Sequence, residues 1–115
     1  MYTQRPVITV EASIDMEPDL CVSLMVAKPG SVEYTPAGTA PYGRTNRPCL
    51  QGRGIAVVPL RTAIMEEFVA GADIKEGDKL EVGALGKVIK ADKGHAFAIA
   101  RHSVKAGALV TAMLI

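Results

Sequence analysis

The residues of this sequence that could do chemistry are few and scattered. His95 and His102 stand on opposite sides of a predicted strand, so they are not expected to share a metal ion. Ser103 follows His102 but lacks the glycine-flanked turn that exposes a catalytic serine. Cys21 and Cys49 lie far apart with no C-x-x-C pair, which predicts two free thiols, with a disulfide as the alternative. We therefore expect no catalytic residue, no metal site and no cofactor.

Three arginines close together, Arg44, Arg47 and Arg53, could in principle hold a phosphate. No strand, glycine loop and helix surround them, which is the setting in which a phosphate is usually bound. A solvated or protein-facing arginine edge explains them better. We predict that these three residues contact a partner protein.

The run GADIKEGDKLEVG at 71–83 could be a metal loop, a phosphate cradle or a corner between two strands. Its counterpart in the first half is SIDMEPDLCVSL at 13–24, and a ligand loop would need the same donors in both. Only the first aspartate recurs, and a short carboxylate before a turn commonly accepts hydrogen bonds from backbone N–H groups. We therefore predict a corner. The predicted turn residues of the chain are Asp15, Pro18, Gly52, Asp73, Gly77 and Gly107.

Composition predicts one small β domain. The chain has 115 residues, 49% of them hydrophobic and 22% charged, and its 11 Gly and 7 Pro indicate many turns. A net charge of +1, with three Tyr, two Phe and no Trp, gives no reason to expect nucleic acid as a partner. The longest apolar run, ALVTAMLI, is too short to cross a bilayer, and no signal peptide is expected. We predict a protein that acts without a membrane partner and without export.

The sequence contains an internal repeat. At an offset of 58, residues 10–24 match residues 68–82 in their apolar positions, and at an offset of 55, residues 40–60 match residues 95–115 without a gap. We predict a single domain, 1–115, made of an N-terminal arm (1–8), a first β repeat (9–60) and a second β repeat (61–115).

Short β-branched or alternating runs predict an all-β fold. One segment is ambiguous, because Leu60, Ile64 and Phe68 fall four apart, as on a helix, whereas residues 66–70 match VITVE in the repeat. We expect a strand there, with a short helix as the alternative. The other predicted strands are 7–11, 20–26, 31–35, 54–60, 79–82, 87–91, 96–101 and 108–115.

The N-terminal run MYTQRPVITV is a candidate contact arm. Pro6 disfavours helix before it, and VITV could add as a strand to an exposed sheet edge. A plain disordered terminus is the alternative. The predicted contact residues of the arm are Tyr2, Thr3, Gln4, Arg5, Pro6 and Val7.

The second half resembles the small capsid decoration, or cement, proteins of tailed bacteriophages. The similar segments are VAGADIKEGDKLEV, a short GKVIKA strand and GHAFAIARHSVKAGALVTAMLI, and the first half follows the same plan more loosely. The resemblance implies a β-tulip or β-clip fold of the lambda head decoration protein type, without enzymatic activity. It also implies a homotrimer or homodimer, with the trimer favoured, bound to the major capsid protein on the virion exterior after assembly in the host cytoplasm.

Two features depart from that family pattern, the arginine-rich run RTNRPCLQGRG and the unexplained cysteines. The leading alternative is a β-clip domain of the SAF type, which the rhythm of residues 72–80 resembles. A carbohydrate or anion would then lie near Asp73, Lys75 and Arg101. An enzyme in its own right is the third possibility.

Overall fold

The computed structural model describes residues 8–115, and in this part of the chain the fold is all-β, as predicted. Two short 3₁₀ turns, Leu60–Thr62 and Ala84–Gly86, are the other regular elements of this part. The predictions for residues 1–7 lie outside the described residues. The strands are β1 (Ile8–Ala12), β2 (Cys21–Leu24), β3 (Ser31–Tyr34), β4 (Gly43–Thr45), β5 (Gly54–Pro59), β6 (Met65–Val69), β7 (Lys79–Val82), β8 (Val88–Lys90), β9 (Ala98–Ala100) and β10 (Leu109–Leu114).

The two halves of the chain have the same strand order. The first half is a closed barrel in which β3, β2, β4, β5 and β1 are successive neighbours and β1 pairs in parallel with β3. In the second half β8, β7, β9, β10 and β6 follow one another in the same way. A single parallel bridge, Ala70 to Val88, stands where Ala12 pairs with Val32 in the first half. The second sheet is therefore an almost closed copy of the first.

Individual hydrogen bonds also recur at the offsets found in the sequence. Gly52 N–H donates to Ala12 O at 2.8 Å, and Gly107 N–H donates to Ala70 O at 2.8 Å. The isolated bridge between Met16 and Cys49 likewise recurs between Ile74 and Val104. Because separate loops reproduce the same bonds, the apolar match in the sequence reflects a shared backbone plan.

The run at 71–83 forms a corner. The Asp73 carboxylate accepts a hydrogen bond from Ala106 N–H at 3.0 Å, and Asp15 accepts one from Gln51 N–H at 2.8 Å, at the equivalent place. The bond from Ala106, assisted by the charge of Lys105, holds the pKa of Asp73 below its usual range. Both aspartates thus fasten one loop of their half to another.

Each corner contains a residue in the left-handed region. Gly77 has φ +88° and Gly107 has φ +89°, and a Cβ built at either meets no atom within 4 Å. Any cost of a side chain there therefore comes from the backbone and not from a clash. In the first half Asp19, with φ 62°, occupies the position of Gly77.

Gly77→Val and Gly107→Val are each expected to lower the free energy of unfolding by roughly 1 kcal/mol or more, because a β-branched residue is strained at positive φ. Thermal melts of the two variants measure the effect. A melting temperature equal to that of the unmodified protein would show that these corners tolerate side chains.

The structure resolves the ambiguous segment at 66–70 and contains one strand, β4, that was not expected. The segment around residues 66–70 is a strand, β6, so the helix alternative is wrong beyond the 3₁₀ turn at 60–62. β4 was not predicted, because Gly43-Arg44-Thr45 carries no apolar run. Its partner in the repeat, Ala98–Ala100, lies at the offset of 55 and was predicted as part of a strand.

Each half has its own apolar core. The first is built around Met16, Val22, Val32, Ile55 and Val57. The second contains Phe68 and Phe97, whose rings meet edge to face with centroids 5.4 Å apart, together with Ile74, Leu80 and Val110.

The halves meet closely at Gly86 and Cys21. Cys21 belongs to β2 in the first half, but its buried side chain packs in the core of the second. Gly86, with φ +75°, lies against the backbone of Cys21, so a Cβ at Gly86 would stand 2.6 Å from Cys21 O. The second half therefore packs directly on the backbone of β2.

Candidate binding surfaces

Arg44 joins the two halves through a buried ion-pair network. Its Nη1 lies 2.6 Å from Asp19 Oδ1, and its Nη2 lies 2.5 Å from Glu66 Oε1 on β6. The side chains of Arg44 and Glu66 are 5% and 1% exposed. The prediction that Arg44 contacts a partner is wrong, because its guanidinium is buried and bound within the chain.

Asp19, which holds Arg44, has no side-chain counterpart in the second repeat. Its carboxylate binds Arg44, while its carbonyl oxygen accepts a hydrogen bond from Val69 N–H at 3.0 Å. The equivalent Gly77 offers no side chain. The contact with Arg44 thus explains why this corner of the first half has aspartate where the second half has glycine.

Arg47 and Arg53 are exposed and separate from this network. Their role as partner contacts stays a prediction. The predicted turn residues, including Pro18 beside Asp19, lie at corners between strands.

An apolar groove of about 530 Å³ lies where the halves meet. Its walls include Leu24, which is 48% exposed, and Ile115, which is 62% exposed. Both members of three equivalent pairs line it, which places the groove between the two repeats. These pairs are Ala40 and His95, Tyr42 and Phe97, and Leu60 and Ile115.

The outer edge of β6 has no backbone partner at Met65 and Glu67 among the described residues. Ile64 accepts from Leu114 N–H on the β10 side at 2.8 Å, whereas Val69 N–H donates away from β10, to Asp19. By this alternation Met65 and Glu67 also turn their N–H and C=O groups away from β10. Within residues 8–115 those groups have no backbone partner.

The two halves differ in what pairs with this edge at Val69. In the first half Glu11, the equivalent of Val69, donates to Gly30 O in the loop between β2 and β3. The paired residues flanking that loop are Leu24 and Val32, but they are Val82 and Val88 in the second half, so the second loop is two residues shorter. Among the described residues no backbone hydrogen bond joins this shorter loop to β6, and Val69 N–H donates to Asp19 O instead.

The side chains that could bind a metal ion are dispersed among the described residues. In residues 8–115 no three His, Cys, Asp or Glu side chains are grouped to hold a metal ion. No helix in this part of the chain has the length and apolar character needed to span a membrane. His102 accepts a hydrogen bond from Thr111 N–H at 3.0 Å, which is a structural contact within the second half.

The carboxylate of Asp73, which a carbohydrate or anion site was predicted to use, is engaged by Ala106 and lies 3.5 Å from Lys105 Nζ. These contacts give it a role within the corner. Binding of a sugar or anion there stays a prediction that no contact of the described residues favours.

The two cysteines are free thiols in different surroundings. Burial raises the pKa of Cys21 to about 12, against the opposing effect of the Arg44 charge, whereas Cys49 is partly exposed. We expect a thiol reagent at about pH 8 to modify Cys49 and to leave Cys21 unmodified until the protein unfolds. Mass spectrometry of Cys49→Ser before and after denaturation is the measurement, and rapid labelling of the native variant would contradict it.

Taken together, the strands define an all-β protein of two equivalent five-stranded units joined by a buried ion pair. No protein-family model matches the sequence, and no curated protein matches it. The fold is shared with a solved structure, the head fiber gp8.5 N base in bacteriophage phi29, at a TM-score of 0.84. The match covers 96% of this chain and 93% of that chain, with 20% sequence identity.

Proposed function

We propose that this protein is a structural virion protein that binds the outer surface of a phage capsid and stabilises it by bridging major capsid protein subunits. The observation that carries the proposal is the fold, shared over nearly the whole chain with part of a phage head fiber. The resemblance of the second half to phage decoration proteins points the same way. The role is non-enzymatic and requires neither a cofactor nor nucleic acid.

The surface of the described residues suits a protein that works by contact. Large apolar side chains are exposed at several places, including Val26 at 97%, Ile64 at 77% and Leu50 at 64%. A homotrimer that touches several capsid subunits at once gains avidity of about 10²-fold over one weak contact, through effective concentration. Attachment therefore needs contact area and several copies, with no chemistry of its own.

The direct test is binding to capsid particles from the protein's native source, prepared without this protein. Wild-type protein is expected to co-sediment with the particles and to raise the temperature at which they break open. Arg47→Glu and Arg53→Glu ask whether the exposed arginines take part. Failure of the wild type to bind any particle would overturn the proposed function.

Deleting residues 1–6 is expected to weaken particle binding while leaving the fold intact. The deleted run has little apolar surface to contribute to a core, and its bias to extended structure suits pairing with a neighbour. Co-sedimentation and thermal melts separate the two effects. A truncated protein that no longer folds would show that the segment belongs to the core.

A further inference from the structure

The open edge of β6 has a pattern that limits what can pair with it. Within residues 8–115 the outward backbone groups of Met65 and Glu67 have no backbone partner. Along this edge the exposed side chains are apolar Met65 and acidic Glu67, with buried Glu66 between them. A strand aligned antiparallel to this edge is complementary if it offers a basic residue opposite Glu67 and an apolar residue opposite Met65. Pairing of β6 with β6 of another copy in the register that sets Glu67 opposite Glu67 is disfavoured, since like charges directly opposite each other are destabilising.

The sequence just before β1 has that complementary order. In Arg5-Pro6-Val7 the basic residue precedes the apolar one by two positions, which matches Glu67 and Met65 read in the opposite direction. Pro6 would stand opposite Glu66, whose own N–H and C=O face β10. The middle residue of the incoming strand makes no hydrogen bond to β6. Proline, which lacks an N–H group, therefore costs no hydrogen bond at that position.

The alternation of β1 agrees with this pairing. Ala12 N–H donates to Arg53 O, which continues the β5 pairing, whereas Glu11 N–H donates away from β5 to Gly30 O. Odd-numbered residues of β1 therefore turn their backbone groups away from β5, to the side on which β3 lies. The proposed pairing requires Val7 and Arg5, which are also odd-numbered, to present their backbone groups to β6 of the next copy.

We propose that residues 5–7 of one copy add as an antiparallel strand to the outer edge of β6 in the next copy, with Arg5 opposite Glu67 and Val7 opposite Met65. The two surfaces are different parts of the chain, so the contact is head to tail, and with the three-fold rotation of a homotrimer such contacts close into a ring. This inference rests on the homotrimer of the proposed function, and the strand pairing is the interface that holds that homotrimer together. The loss of capsid binding expected on deleting residues 1–6 then follows from lost avidity.

The test measures the mass of the full chain in solution by light scattering and sedimentation at micromolar concentrations. Wild type is expected to form a closed oligomer, and Arg5→Glu and Glu67→Arg are each expected to weaken association by about tenfold or more. The double variant R5E/E67R is expected to regain it, since the charges are exchanged across the same pair. Glu76→Arg, an exposed charge reversal on the 75–78 turn, is the matched control and keeps the wild-type mass.

Glu67→Pro tests the backbone pairing separately from the charge. It removes the outward N–H and leaves the β6 ladder to β10 intact, whereas Glu67→Gln keeps the N–H; the proline variant is expected to lose the oligomer and the glutamine variant to weaken it. A monomeric wild type, or single variants that associate like wild type, or a double variant without recovery, would overturn the pairing. No capsid takes part, so such a result leaves the particle-binding test of the proposed function standing by itself.

Discussion

Arg44→Met is expected to lower the free energy of unfolding by about 3–5 kcal/mol, the range measured when one partner of a buried ion pair is removed. The substitution leaves the 1% exposed Glu66 carboxylate in the joint without its arginine and removes the main contact of the Asp19 carboxylate. Urea denaturation followed by circular dichroism gives the change in unfolding free energy.

The matched control is Arg47→Met, which replaces an exposed arginine three residues away and is expected to change the unfolding free energy by no more than about 0.5 kcal/mol. The double variant R44M/E66M removes both buried charges and should recover much of the loss. Equal stabilities of R44M and R47M would show that the buried pair does not stabilise the joint.

Gly86→Ala should destabilise the protein by about 3 kcal/mol or more, because two separate costs combine. The left-handed backbone at φ +75° costs a non-glycine residue roughly 1–2 kcal/mol. The added methyl group would stand 2.6 Å from Cys21 O, so either β2 or the 3₁₀ turn must move, which typically costs about 1–3 kcal/mol.

Gly77→Ala separates these two costs. Gly77 has a similar φ of +88°, but a Cβ there meets open space, so only the backbone cost of about 1 kcal/mol is expected. Chemical denaturation of both variants gives the difference that belongs to the contact between the halves. If both variants lose the same stability, β2 and the 3₁₀ turn are not packed tightly against each other.

The sequence was most informative where local pattern and repetition agreed. The segment from Leu60 to Phe68 carries four-residue spacing typical of a helix, yet the match of residues 66–70 to the first strand correctly indicated the strand β6. Both β1 and β6 pair with the last strand of their half. β4 could have been found in the same way. Its Gly43-Arg44-Thr45 has no apolar alternation, but the 55-residue offset aligns it with the predicted strand at 96–101.

The sequence was least informative about contacts between the halves. Arg44 was grouped with Arg47 and Arg53 because they are neighbours in sequence, whereas its partners Asp19 and Glu66 lie 25 and 22 residues away. No periodicity relates such positions, so a buried ion pair and a surface cluster look alike from the sequence. One signal was present, since Asp19 interrupts a corner that uses glycine in the other repeat.

The position of the Cys21 side chain has a consequence for how the chain folds. The first barrel is complete in strands once β5 has been made, but Cys21 would then lack the apolar neighbours that the later residues supply, and Arg44 would lack Glu66. The buried contacts of each repeat are therefore complete only when the other repeat is folded. We expect the chain to unfold in one cooperative transition, so that two units with equivalent strands behave thermodynamically as one.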